Sequence, residues 1–150
     1  KDLELVLISR PDPGGKTAAL ISRLDLADRV RFVSGLSREG IVRLYAQSAV
    51  AVIPSLYEGF GLPAVEAMSS GIPVVSSNGG ALPEVVGQAG LVVPAGDDRA
   101  LADAIFQVLT DSDLAKALSL KGLDRARAQY SWPVCAQNML LVYQKAIEAC

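Results

Sequence analysis

Apolar residues along this chain cluster into short runs, and stretches with helical patterning separate one run from the next. The runs are Leu3 to Ile8, Val30 to Val33, Ala49 to Ile53, Pro73 to Ser76 and Gly90 to Val93. Short β-branched runs bounded by turn residues predict strands buried in a parallel sheet. Helices are predicted at Lys16 to Leu26, Arg38 to Ser48, Pro63 to Ser70 and Leu82 to Gly87. After the fifth strand come only helices, at Arg99 to Thr110, Leu114 to Ala128 and Trp132 to Ala149. Alternation of strand and helix through short connections implies an α/β fold, Rossmann-like and doubly wound, with right-handed crossovers. Ligands of such sheets bind at the carboxyl ends of the strands. Gly35-Leu36, Tyr57 to Leu62 and Ser77 to Gly80 all follow strands and so fall on that edge.

Composition narrows the chemistry. The chain has 150 residues, enough for one domain with a sizeable core, and 51% are hydrophobic but only 5% aromatic. A formal net charge of −2 without a basic run argues against a nucleic-acid partner. No apolar run approaches the roughly 18 residues of a membrane span. There is no histidine, which excludes within these residues any His-based triad, general base or metal cluster. Cys135 and Cys150 sit on one predicted helix, about 22 Å apart at the helical rise, too far to pair. Two free thiols and no signal-like segment predict a cytoplasmic protein. Gly15-Lys16-Thr17 invites comparison with a P-loop, but Arg10 occupies the place of its first glycine and Pro11 and Pro13 remove two amide donors.

The stretch from Ser55 to Met68, SLYEGFGLPAVEAM, carries the most chemistry. It follows the strand AVAVIP and holds a Gly59-Phe60-Gly61 turn, then Pro63 where a helix is predicted to begin. Strand, glycine turn and helix start make an anion-binding corner, where free amides meet the positive end of the helix dipole. Glu58 and Glu66 flank it. Carboxylates repel an anion but grip hydroxyls by accepting their hydrogen bonds. A ligand with phosphates in the middle and sugars on either side suits both features, and a nucleotide sugar is such a ligand.

This arrangement resembles the Glu-seven-Glu signature of the retaining family-4 (group 1) glycosyltransferases, which have the two-domain GT-B fold. The likeness extends from Asp28 to Asp97, the nucleotide-sugar-binding half of that family, and to Tyr130-Ser131-Trp132 opening the last helix. It implies that Glu66 accepts from the ribose hydroxyls of the donor. It implies that Glu58 lies by the donor sugar, in a catalytic role beside the oxocarbenium-like charge. Gly59, Phe60, Gly61 and Leu62 would bind substrate around the diphosphate, and Leu36 would line the base pocket. Asn78-Gly79-Gly80 matches a loop near the donor but is also ordinary turn chemistry, and it stays outside the site set. The family needs no metal or other cofactor.

The resemblance further implies that residues 1–150 are a partial nucleotide-sugar-binding domain, with 131–150 its terminal helix. The family's first strand–turn–helix unit, with an arginine and a lysine that clamp the diphosphate, has no counterpart here, and neither does the amino-terminal acceptor domain. In strand order 3-2-1-4-5-6 that first strand is central. Its loss predicts two half-sheets with open edges, filled by another piece of the protein, by self-association with a second copy, or by collapse. The expected function is the donor-binding half of a sugar-transferring enzyme. A non-catalytic nucleotide-sugar-binding module is the alternative, and an epimerase of the same fold would need histidine.

Overall fold

A computed structural model describes residues 3–149, and Cys150 lies outside them. The chain divides into two compact units, one ending at Ile41 and the other beginning at Val42. All five predicted strands and all seven helices are present, with ends displaced by a few residues.

The first unit pairs β1 (Leu5–Ile8) with β2 (Val30–Val33) in parallel, in the register Leu5 to Val30 through Ile8 to Val33. Between them run α1 (Lys16–Arg23) and a 3-10 turn at Ala27–Arg29. The predicted α1 reached Leu26, because Leu24 and Leu26 continue the apolar pattern. Instead the helix closes at Leu24, and Asp25 turns left-handed at φ 53°. Leu26 N then donates back to Ile21 O at 3.0 Å, the six-to-one bond of a Schellman cap. An aspartate in the position usually held by glycine is why the pattern misplaced this end. Glu4 and Arg31 form an exposed ion pair at 2.7 Å. No described residue of this unit is fully buried.

The second unit holds a three-stranded parallel sheet of order β3-β4-β5, formed by Ala51–Ile53, Val74–Ser77 and Gly90–Val93. Ala51 pairs with Val74, and Val74 with Gly90. Central β4 is buried at all four positions. Its Val75 packs in a cluster with Ala104 and Val108 of α5 (Asp98–Thr110) and Leu118 of α6 (Ser112–Gln129). Helices α3 (Leu62–Ser69) and α4 (Leu82–Val86) also lie against this sheet and bring in Ala64, Ala67, Met68, Leu82 and Val86, all solvent-inaccessible.

Local sequence explains the helix starts. Asp97 accepts from Ala100 N at 2.9 Å, and Asp111 accepts from Asp113 N at 3.0 Å and Leu114 N at 2.9 Å, so each aspartate caps the helix that follows. α2 (Arg38–Gln47) spans the boundary between the units, and its buried residue is Tyr45. α7 (Trp132–Glu148) buries none of its residues.

Among the described residues, β1 pairs only with β2 and β3 only with β4.

Ser76 Oγ is fully buried on β4 and has no hydrogen-bond partner among the described residues. A buried hydroxyl left unpaired is costly, so Ser76→Ala should raise stability by about 1 kcal/mol. Urea denaturation of the two proteins checks this: an unchanged slope with a higher midpoint is expected.

Candidate functional site

The loops that leave the carboxyl ends of β3 and β4 rest directly on each other. Because the two strands are parallel neighbours, with Ile53 opposite Ser76, both loops emerge on the same edge. Ser77 Oγ donates to Ser55 O, and Gly79 N donates to Ser77 Oγ at 3.3 Å. Ala81 N donates to Glu58 O at 3.0 Å. A Cβ on Gly80, whose φ is +63°, would lie 2.2 Å from Glu58 O, and one on Gly79 would lie 2.6 Å from Ser55 O. Only glycine allows backbone to meet backbone this closely. The loop after β5 joins them, with Asn78 N donating to Val93 O at 2.8 Å and Asn78 Oδ1 accepting from Ala95 N at 2.8 Å.

On this platform the turn Gly59-Phe60-Gly61 leads into α3. Gly61 sits just before the helix in the left-handed region, at φ 95° and ψ 48°. Its Cα faces Leu82, and a Cβ would come within 2.7 Å of Leu82 Cδ2. Leu62 opens the helix and Pro63 follows in its first turn, so the helix begins one residue earlier than the sequence pattern predicts. The amides of residues 59–62 donate no hydrogen bond among the described residues. They are the unpaired donors expected at a helix start.

Glu58 is half-buried, and Ser55 Oγ donates to its Oε1 at 2.8 Å, which fixes one carboxylate oxygen and leaves the other open. Glu66 is exposed on α3, one turn in. The side chains of Phe60 and Leu62 are 44% and 63% exposed, and Leu56 and Tyr57 of the same loop are more so. Tyr45 lies behind α3, its hydroxyl donating to Pro63 O at 3.3 Å. Burial, and secondarily the Glu66 carboxylate, push its phenol above the ordinary range.

The fold therefore brings Glu58, Gly59, Phe60, Gly61, Leu62 and Glu66 onto one loop and helix start. Leu36 belongs to the first unit, where it is half-buried beside Gly40 and follows Gly35 at φ 69°. Sequence reasoning missed Ser55, Ser77, Gly79 and Gly80. A signal existed for three of them: Ser55 stands three residues before Glu58, the spacing of a serine that can reach a following acid, and Gly79-Gly80 follows a strand after a single asparagine.

An α/β chain with unpaired turn amides and two carboxylates at the carboxyl edge of a parallel sheet falls among the Rossmann-like ligand-binding folds of the GT-B kind. The family model described as glycosyl transferases group 1 matches residues 3–125. The chain is 46% identical to the MMP alpha-(1->4)-mannosyltransferase of Mycolicibacterium hassiacum, over 98% of this chain and 36% of that protein. Among solved structures, sucrose-phosphate synthase from Thermosynechococcus elongatus superimposes with a TM-score of 0.86 at 35% identity, over 98% of this chain and 39% of that one. Anabaena HepE, solved in complex with UDP-glucose, gives 0.76 at 25% identity, over 87% and 36%. The chain belongs to the group 1 glycosyltransferase family. It spans about a third of the length of the curated relatives it matches. No described helix is long and apolar enough to cross a membrane.

Two predictions follow from the loop contacts. Gly80→Ala places a side chain against Glu58 O in a left-handed backbone and should cost at least about 2 kcal/mol. Gly59→Ala meets nothing within 4 Å and should cost well under half of that. Comparative thermal denaturation checks the contrast.

Tyr45 provides a pH test. Its raised phenol favours the neutral form in the folded state, so its contribution is complete below the ordinary tyrosine value of about 10. It is lost as pH rises through the higher folded value. Relative to Tyr45→Phe, the parent should lose stability between pH 9 and the alkaline limit of about 11 and not below, as measured by denaturation across that range.

Proposed function

We propose that this chain is the donor-binding part of a retaining glycosyltransferase, which moves a sugar from a nucleotide-diphosphate sugar to an acceptor. The observation that carries the reading is the turn at residues 59–62, whose unpaired amides head α3 between one braced carboxylate and one exposed carboxylate. Amides at a helix start favour the diphosphate through direct donation and through the helix dipole. Glu66, on the first turns of the same helix, accepts from the ribose hydroxyls. Glu58 takes the sugar side, where its free oxygen accepts from the sugar hydroxyls and its charge stabilises the oxocarbenium-like transition state. Ser55 holds that carboxylate in place, so little reorganisation is needed as positive charge develops.

As the bond from the anomeric carbon to the diphosphate breaks, its electron pair leaves with the diphosphate. The acceptor hydroxyl attacks from the same face, its proton passing to the departing phosphate oxygen, and the anomeric configuration is retained. Phe60, Gly61 and Leu62 amides stabilise the leaving charge at one end. Leu36 packs against the base. Residues 1–150 are read as part of one nucleotide-sugar-binding domain closed by the helix at 131–150, and the acceptor is bound by a separate part of the protein. Self-association of this portion through an open sheet edge is part of the same reading. A cytoplasmic location fits the exposed free thiol of Cys135.

Steady-state kinetics of the full-length protein against a panel of nucleotide sugars tests the assignment. Glu66→Ala should raise KM for the donor about tenfold or more with kcat little changed, because ribose contacts serve ground and transition states alike. Glu58→Gln should lower kcat by about a hundredfold at similar KM. Parental kinetics in both variants would remove these roles, and a parent that binds donors without transferring or hydrolysing them would make the protein a non-catalytic binder.

A further inference from the structure

Behind the turn, three side chains from distant parts of the sequence meet. The Phe60 and Tyr130 rings lie edge to face, with centroids 5.6 Å apart and planes at 86°. That is the arrangement ring quadrupoles favour. The Tyr130 hydroxyl donates to Val85 O at 3.2 Å. Arg125 sets its guanidinium 5.9 Å from the centre of the Tyr130 ring. From Nε it donates to Val85 O at 2.8 Å, and from Nη2 to Glu84 O at 2.6 Å.

Those two carbonyls lie in the last turn of α4, where they have no acceptor role inside the helix and where the dipole favours a cation. The first residue of the same short helix, Leu82, backs Gly61. One end of α4 thus touches the turn, and the other is clamped by Arg125 and by Tyr130, whose ring reaches Phe60. With 44% of its surface exposed, Phe60 has little core to hold it, and it packs its ring against that of Tyr130.

We infer that Tyr130, braced by Arg125, is a positioning residue for the donor site: it holds the Phe60 ring, and through it the direction of the 59–62 amides and of Glu58. The inference rests on the donor-binding reading above for its functional consequence, though its structural half does not. Arg125 is itself fixed on α4 by its charge-assisted bonds to the Val85 and Glu84 carbonyls and sets its guanidinium against the Tyr130 ring, so the ring matters most and the Tyr130 hydroxyl is secondary. A residue that merely glued α6 to α4 would stabilise the whole unit alike. A brace acts on the turn first.

The test uses the full-length protein with Tyr130→Leu, which removes the ring, and Tyr130→Phe, which removes only the hydroxyl. Phe60→Leu breaks the same pair from the exposed side and serves if Tyr130→Leu does not fold. Two quantities are read. One is hydrogen exchange at Ala64 N and Ala81 N, whose acceptors are Gly61 O and Glu58 O, compared with exchange along Val74–Ser77. The other is calorimetric binding of UDP, GDP and ADP. Loss of the ring should speed exchange at Ala64 and Ala81 about three- to tenfold, leave Val74–Ser77 unchanged, and weaken the nucleotide that binds by a similar factor. Tyr130→Phe should keep the parental values. Equal acceleration along Val74–Ser77, or unchanged exchange at Ala64 and Ala81, overturns the brace. Local loosening with unchanged nucleotide affinity also overturns it as a positioning device. A parent that binds none of the three nucleotides defeats the donor-binding reading instead, and the exchange comparison still decides whether the brace exists.

Discussion

The contact between the Glu58 carbonyl and the backbone at Gly80 and Ala81 is the constraint around which the second unit is arranged. It is a hydrogen bond from Ala81 N at 3.0 Å, together with an approach so close that no Cβ fits at Gly80. Parallel pairing of β3 with β4 delivers the two loops to the same edge, and the glycine pair lets them touch. Once they touch, Glu58 has a fixed backbone, Ser55 can reach its carboxylate, and the glycine turn must enter α3 at the angle Leu82 permits. Packing and chemistry are joined at this point, because the left-handed backbone that glycine permits at Gly61 and Gly80 serves both.

Helix α4 connects the site to the rest of the unit. Its five residues are too few to be stable alone, and its bonds to Arg125 and Tyr130 supply what its own length does not. The buried side of this helix meets the sheet through Leu82, Val85 and Val86. Movement of the α6 end would therefore be felt at the turn through two routes, the aromatic pair and the short helix. The first unit differs in kind, since none of its described residues is fully buried and its two strands present an unpaired edge.

Much of this was legible beforehand, for reasons tied to particular residues. β-branched runs such as Val74–Val75 have few alternatives to a buried strand, and Pro63 after a glycine turn marks a helix start because both act over a few residues. Where sequence reading went astray, a local exception was responsible. α1 stops at Arg23 because Asp25 takes a conformation usually left to glycine, although Leu24 and Leu26 keep the apolar rhythm. The pair Gly79-Gly80 read as turn chemistry, and it is a turn, but its tighter constraint is the backbone of Ser55, Leu56 and Glu58, from the loop after the neighbouring strand.

By itself, then, the sequence determined the alternation of strands and helices, the glycine turn at residues 59–61 that leads into α3, and the family resemblance that its motif carries. All of these depend on neighbours within about a helical turn or a strand length. The tertiary structure decided which groups support that corner: Ser77 and Gly80 from the next strand's loop, Tyr45 behind Pro63, and Arg125 and Tyr130 through α4. The hydrogen bonds that make these contacts join residues from 18 apart, Tyr45 to Pro63, to 45 apart, Tyr130 to Val85. No local pattern encodes such meetings, because they depend on which strand becomes the neighbour and on the register in which the two strands pair.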